Sequence, residues 1–279
     1  MITTELRRSF PASAATTLRI TAHGNVVIHY EAVDVATVEV TSCDEVDLTP
    51  VTMTVEGEEI RVDVPPLLTD AAGRRGIAID LGFWSFSLGD ARVRLTTEIT
   101  LPEGADVEVE VRGSGELTVD GPAGSVVARA SGGDVTLGPC GEVDIRTTSG
   151  DIRTEDVTGG TLATASGDIG VEWVSGELQI RTGSGDVRIE RASGSLDAAS
   201  GSGDVDVEFV DGEVITVKTA SGEVRIGLPR GVPIWQDVHT VSGDVSSRLE
   251  PTGQPGEGDR FITVRVSTAS GDVDLHNAS

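Results

Sequence analysis

One short turn recurs through the second half of this chain and limits what it can fold into. It reads Thr/Ser-x-Ser-Gly-Asp/Glu and is followed by Val or Ile. Its glycines are Gly150, Gly167, Gly185, Gly203, Gly222, Gly243 and Gly271, with looser copies at Gly115 and Gly133. The spacing is nearly constant as far as Gly222, then lengthens in the steps to Gly243 and Gly271. A second, more degenerate set falls midway, at Gly124, Gly141, Gly160, Gly176, Gly194, Gly212 and Gly231. The unit is therefore about 18 residues with two turns, and each half-unit of about nine is too short for a helix plus a strand.

The residues after each turn alternate apolar and charged, as in Val187-Arg188-Ile189-Glu190 and Val205-Asp206-Val207-Glu208. The midway segments Val143-Asp144-Ile145 and Leu178-Gln179-Ile180 do the same. Period two is the signature of a half-buried strand. Units that each pair only with their neighbours build a solenoid. The expected fold is all-β: a parallel β-solenoid, a flattened β-helix with two strands and about 18 residues per coil. Parallel crossovers favour a right-handed coil. The expected inward ladder is Val135, Ile152, Ile169, Val187, Val205, Val224 and Val245. Only nine of 279 residues are aromatic, which suits a core too thin for large rings.

Each turn position has a physical reason. Glycine permits positive φ where the chain reverses. The flanking Ser and acid can cap free amides. A Thr three residues before the glycine recurs at Thr147, Thr164, Thr182, Thr219, Thr240 and Thr268, with Ser200 as the variant. Its hydroxyl is expected to bond its stacked copies.

Residues 1–112 lack the period but read as strands, at 18–22, 26–31, 37–41, 53–55, 60–64, 91–101 and 107–111. This part is expected to form a β-rich N-terminal cap continuous with the solenoid of residues 113–279. An insert at 65–90 interrupts it and carries Phe83, Trp84 and Phe86, three of the nine aromatics. The insert either plugs the core end or forms an aromatic contact patch, and those three residues are the candidate partner-binding site. The stretches 228–235 and 251–260 lengthen the last coils.

The formal charge is −25 and Lys218 is the only lysine, so nucleic acid is a poor partner. No apolar run has signal-peptide length and none approaches a membrane span. Cys43 and Cys140 are isolated and expected to be free thiols. These features point to a cytoplasmic location.

Catalytic and metal chemistry find little support. Stacked turns would align Asp151, Asp168, Asp186 and Asp204, a ladder that could bind calcium or be solvated and capped. A calcium-stabilised β-roll is one alternative, although its double glycine and its spacer before the acid are missing. A polysaccharide-active β-helix enzyme is another, but no carboxylate pair stands apart from the repeat. His23, His29, His239 and His276 are scattered, and no cofactor motif is present. The expectation is a non-enzymatic scaffold or binding surface for a protein or polymer, with no cofactor.

The TxSGDV turns, the segment GVPIWQDVHTVSGDV and the ending SSRLEPTGQPGEGDRFITVRVSTASGDVDL resemble a bacterial β-strand-repeat family of putative adhesins, domain of unknown function 4097, in its actinobacterial form. The resemblance implies a β-solenoid without established catalytic residues, and it assigns no functional residue here.

Overall fold

The computed structural model describes residues 4–69, 77–80, 85–88, 91–253, 258 and 260–278. The described residues form 28 strands and no helix, and 24 of the strands belong to one sheet.

The repeats pair as the alternation requires. Each contributes a strand to two ladders, and neighbouring repeats run parallel in unbroken register. The first ladder includes Val135–Leu137, the first half of Ile152–Ser166, then Ile169–Val174, Val187–Ala192, Val205–Val210 and Val224–Leu228. The second includes Val126–Ala130, Cys140–Ser149, the second half of Ile152–Ser166, Leu178–Ser184, Leu196–Ser202 and Val214–Ser221. We call one strand from each ladder a rung. The inward side chains of both ladders form one core, in which Ile152, Val187, Ile189, Val205, Val224 and Ile226 are all at most 1% exposed. Val and Ile dominate because β-branched side chains pack well on a pleated surface.

The N-terminal strands extend both ladders and change their direction. Thr17–His23 and Asn25–Glu31 still pair in parallel with later strands. Beyond them Val35–Ser42 lies antiparallel between Thr4–Pro11 and Leu95–Pro102, and Thr52–Glu56 lies antiparallel to Glu59–Val64. The expected strand at 91–101 is two strands, Ala91–Arg92 and Leu95–Pro102. Leu68–Thr69 of the insert pairs with Ala91–Arg92 just beyond it, and within it Ile77–Asp80 pairs with Ser85–Leu88.

The other end departs from chain order. Ile262–Ser270 pairs with Val214–Ser221 on one edge and Ile234–Ser242 on the other. Val273–Asn277 likewise lies between Val224–Leu228 and Val245–Arg248. The rung latest in sequence is thus next to last in space, and the earlier rung of residues 234–248 is outermost. Val245 thus keeps its place in the inward ladder, in register with Val273, but not its burial: it is 48% exposed because no rung among the described residues covers it. The outermost rung is built for that position. Gln236 and Ser247 occupy places where Val264 and Leu275 are buried one rung in. The Ser247 hydroxyl donates to Gln236 Oε1 at 3.3 Å, so these two core positions are polar. Polar side chains at core positions suit a rung at the end of a stack.

Candidate functional site

The turns come first, because the sequence singled them out. In Gly185, Gly203, Gly222, Gly243 and Gly271 φ lies between 147° and 156°. Their stacking is tighter than any side chain allows: a Cβ on Gly203 would sit 2.1 Å from the Gly185 carbonyl oxygen. The acid after each glycine is also committed. Asp134, Asp151, Asp168, Asp186 and Asp204 each accept, through Oδ1, the backbone N–H of the next acid at 2.7–3.0 Å. The amide of Asp168 holds the Asp151 carboxyl below the usual carboxylate range, and the Arg153 ion pair at 2.7 Å acts in the same direction. Among the described residues the series stops at Glu223, one methylene longer, which pairs with Arg225 and receives no bond from the Asp272 amide. It resumes where Asp272 Oδ1 accepts from the Asp244 amide. The proposed calcium ladder Asp151, Asp168, Asp186 and Asp204 thus spends one oxygen per residue on capping turns. Among the described residues no three His, Cys, Asp or Glu side chains gather in a metal-holding arrangement.

Where the recurring hydroxyl bonds, it does not bond its own copies as expected, and at Thr147 and Thr268 it has no partner among the described residues. Thr164, Thr182, Ser200 and Thr219 donate to the carbonyls of Gly150, Gly167, Gly185 and Gly203 at 3.1–3.4 Å. The acceptor is the turn of the neighbouring rung, because that carbonyl points along the stack.

A second arrangement escaped the sequence reading. On the first ladder four consecutive rungs break period two at one place, each turning two neighbouring residues outward, all exposed except the half-buried Phe209. The first of the pair is always an acid: Glu155, Glu172, Glu190, Glu208. The second varies: Asp156, Trp173, Arg191, Phe209. Val157, Val174, Ala192 and Val210 then return to the core. The register aligns Asp156 with Trp173, Trp173 with Arg191 and Arg191 with Phe209. The row is therefore a column of one aromatic, one cation and one aromatic above an acid.

The column is ordered by its own contacts. The Arg191 guanidinium lies 5.2 Å from the Phe209 ring centroid, a cation–π pair. Trp173 Nε1 donates to Ser193 Oγ at 3.2 Å, and the indole remains 44% exposed. Arg188 lies 3.6 Å from both Asp206 and Glu208. Trp173, Arg191, Phe209 and the acids beside them line an open groove of about 850 Å³ that runs on past Arg225 to His276. It crosses six rungs, about 24 Å at ~4.8 Å per strand. The signal that could have revealed it is a column: aligned by their turns, the repeats place Trp173, Arg191 and Phe209 at the same position of successive units.

The remaining sequence candidates lie elsewhere. Phe83 and Trp84 fall outside the described residues, and Phe86 lies in Ser85–Leu88. His23 Nδ1 is 3.4 Å from the Val64 carbonyl, His29 pairs with Asp120 and His239 with Asp237, so the four histidines stay apart. Only His276 reaches the groove. Cys43 and Cys140 are both free thiols, and burial pushes the Cys140 thiol up to about 12.

The chain is similar to the solved structure of a putative adhesin from Parabacteroides merdae, at 13% identity over 97% of this chain and 95% of that one, with a TM-score of 0.47. A putative adhesin from Bacteroides fragilis gives 10% identity over 98% and 97%, with a TM-score of 0.47. A putative lipid binding protein from Parabacteroides distasonis gives 13% identity over 96% of each chain, with a TM-score of 0.43. No curated protein matches the sequence. Residues 82–276 match the model of one family, and this all-β chain belongs to it: the Toastrack DUF4097 family.

Proposed function

We propose that the protein is a non-catalytic, adhesin-like binding scaffold, a two-strand-per-coil solenoid that presents the groove along Trp173, Arg191 and Phe209 to a protein or polymer partner. One observation carries this reading. The repeat is otherwise largely occupied with its own stacking, since most of its turn glycines, acids and hydroxyls are spent on neighbouring rungs. The exposed column is where side chains differ from rung to rung and remain available. A large exposed aromatic such as Trp173 on a rigid scaffold is typical of a contact site. A catalytic centre would need one acid set apart from the rest, whereas Glu172, Glu190 and Glu208 occupy equivalent exposed places.

The test is sedimentation of the purified protein with washed cell-envelope and soluble fractions, comparing it with Trp173→Ala. The reading expects one fraction to retain the native protein and to lose the variant while the melting temperature is unchanged. Equal retention of both forms removes the groove from the function.

A further inference from the structure

Resting on that reading, we propose that the groove receives an extended polysaccharide chain that carries no anionic groups. The shape comes first. Small molecules are usually held in enclosed clefts that bury most of their surface. This groove is open along about 24 Å at ~4.8 Å per rung, so its occupant is a chain that lies along the ladder. Adjacent sugars in an extended β-linked glycan advance by close to one rung, and successive rings would meet equivalent positions.

The chemistry is that of a pyranose chain. A sugar ring has an apolar C–H face and an equator of hydroxyls. The Trp173 N–H is already taken by Ser193, so what the exposed indole offers is an apolar surface. Arg191 is held over the Phe209 ring and keeps guanidinium N–H groups to donate. Beside them Glu172, Glu190 and Glu208 supply acceptors at three successive rungs. Apolar platform, fixed donor and repeated acceptors together meet the C–H face and the hydroxyl equator of a pyranose ring.

Charge narrows the class. The groove is lined by five carboxylates (Asp156, Glu172, Glu190, Asp206, Glu208) and two guanidiniums, Arg191 and Arg225, on a chain of net charge −25. An anionic polymer is repelled at a distance and again on contact. A basic polypeptide is less suited, because Arg191 stands in the middle of the column and Arg188 already serves Asp206 and Glu208. Hydroxyl groups can bond a carboxylate that is already paired.

The experiment is isothermal titration of the full chain with cellohexaose, a chitosan hexamer, polygalacturonate and poly-L-lysine. Expected is binding of at least one of the first two, weakened about tenfold or more by Trp173→Ala, a loss of roughly 1.4 kcal/mol. Trp173→Phe should restore part of it, and Arg181→Ala on the other ladder should change nothing. Polygalacturonate should not bind. Three results overturn the inference: binding of neither hexamer, comparable binding of polygalacturonate, or binding of poly-L-lysine alone that added salt abolishes. If neither hexamer binds but envelope or soluble-fraction capture still depends on Trp173, the ligand class falls and the binding scaffold stands. If capture is also independent of Trp173, both fall.

Discussion

Replacing Gly203 with alanine tests whether the turns or the core set the fold's tolerance. A Cβ there would lie 2.1 Å from the Gly185 oxygen and 2.6 Å from its carbon, with φ at 153°. Ordinary contact needs 3.4–4 Å, so the two rungs must part locally by more than an ångström. Four bonds cross that gap: Gly185 N–H to Ser202 O at 3.0 Å, Val187 N–H to Asp204 O at 2.9 Å, Asp204 N–H to Asp186 Oδ1 at 2.8 Å, and Ser200 Oγ to Gly185 O at 3.1 Å. At about 0.5–1.5 kcal/mol each, losing most of them costs roughly 2–5 kcal/mol. An unfavourable φ adds about 1–3 kcal/mol. We expect a loss of about 4 kcal/mol. At roughly 2–4 °C per kcal/mol for a chain of this size, the melting temperature should fall by about 8–16 °C. Gly170→Ala is the internal control. It lies in a strand of the same ladder with nothing within 4 Å of its Cβ, and should be neutral or stabilise by about 0.4–1 kcal/mol through the unfolded chain. Circular-dichroism melts and urea titrations of the two variants decide the matter. If both shift equally, close stacking of the turns is not what demands glycine.

Glu223→Asp should let the carboxylate accept the Asp272 amide and raise stability by about 0.5–1 kcal/mol in a urea titration, whereas Asp204→Glu should do the reverse. Thr219→Val removes the donor to the Gly203 carbonyl and should cost about 0.5–1.5 kcal/mol by the same assay. Asp151 is held low in the folded state. Its contribution is therefore present above the unfolded carboxylate range and lost as pH falls through the depressed folded value. Asp151→Asn should flatten the acid limb of the stability–pH curve and, because the group is partly exposed, by less than about 1 kcal/mol. Ile189→Ala, at a fully buried inward position, should cost about 2–5 kcal/mol.

The regular part of this molecule was legible because the same local problem is solved once per rung. A glycine that must let a carbonyl approach, an acid that must cap an amide and an inward Val or Ile each leave a mark at fixed spacing. Three features lay beyond that logic. The hydroxyl of Thr182 reaches Gly167 rather than its stacked copy, a matter of carbonyl direction that spacing does not encode. The column at Trp173, Arg191 and Phe209 is a cluster only after folding, because a whole repeat separates each member from the next, while Phe83, Trp84 and Phe86 drew the eye by adjacency. The reversal of the last two rungs left a trace in the longer steps to Gly243 and Gly271, but a lengthened loop would leave the same trace.

That reversal bears on how the molecule is assembled. As the chain leaves the ribosome, residues 234–248 emerge before the rung on which they will rest. Their parallel partners, Ile262–Ser270 and Val273–Asn277, are made afterwards and must take the place between them and Val214–Leu228. Until then the hydrogen-bonding edges of Val214–Ser221 and Val224–Leu228 stay open, the kind of template on which strands from other molecules add. Residues 262–277 act as a keystone: withdrawn, they would free two rungs at once, and offered by a second molecule they could fill the same gap in exchange.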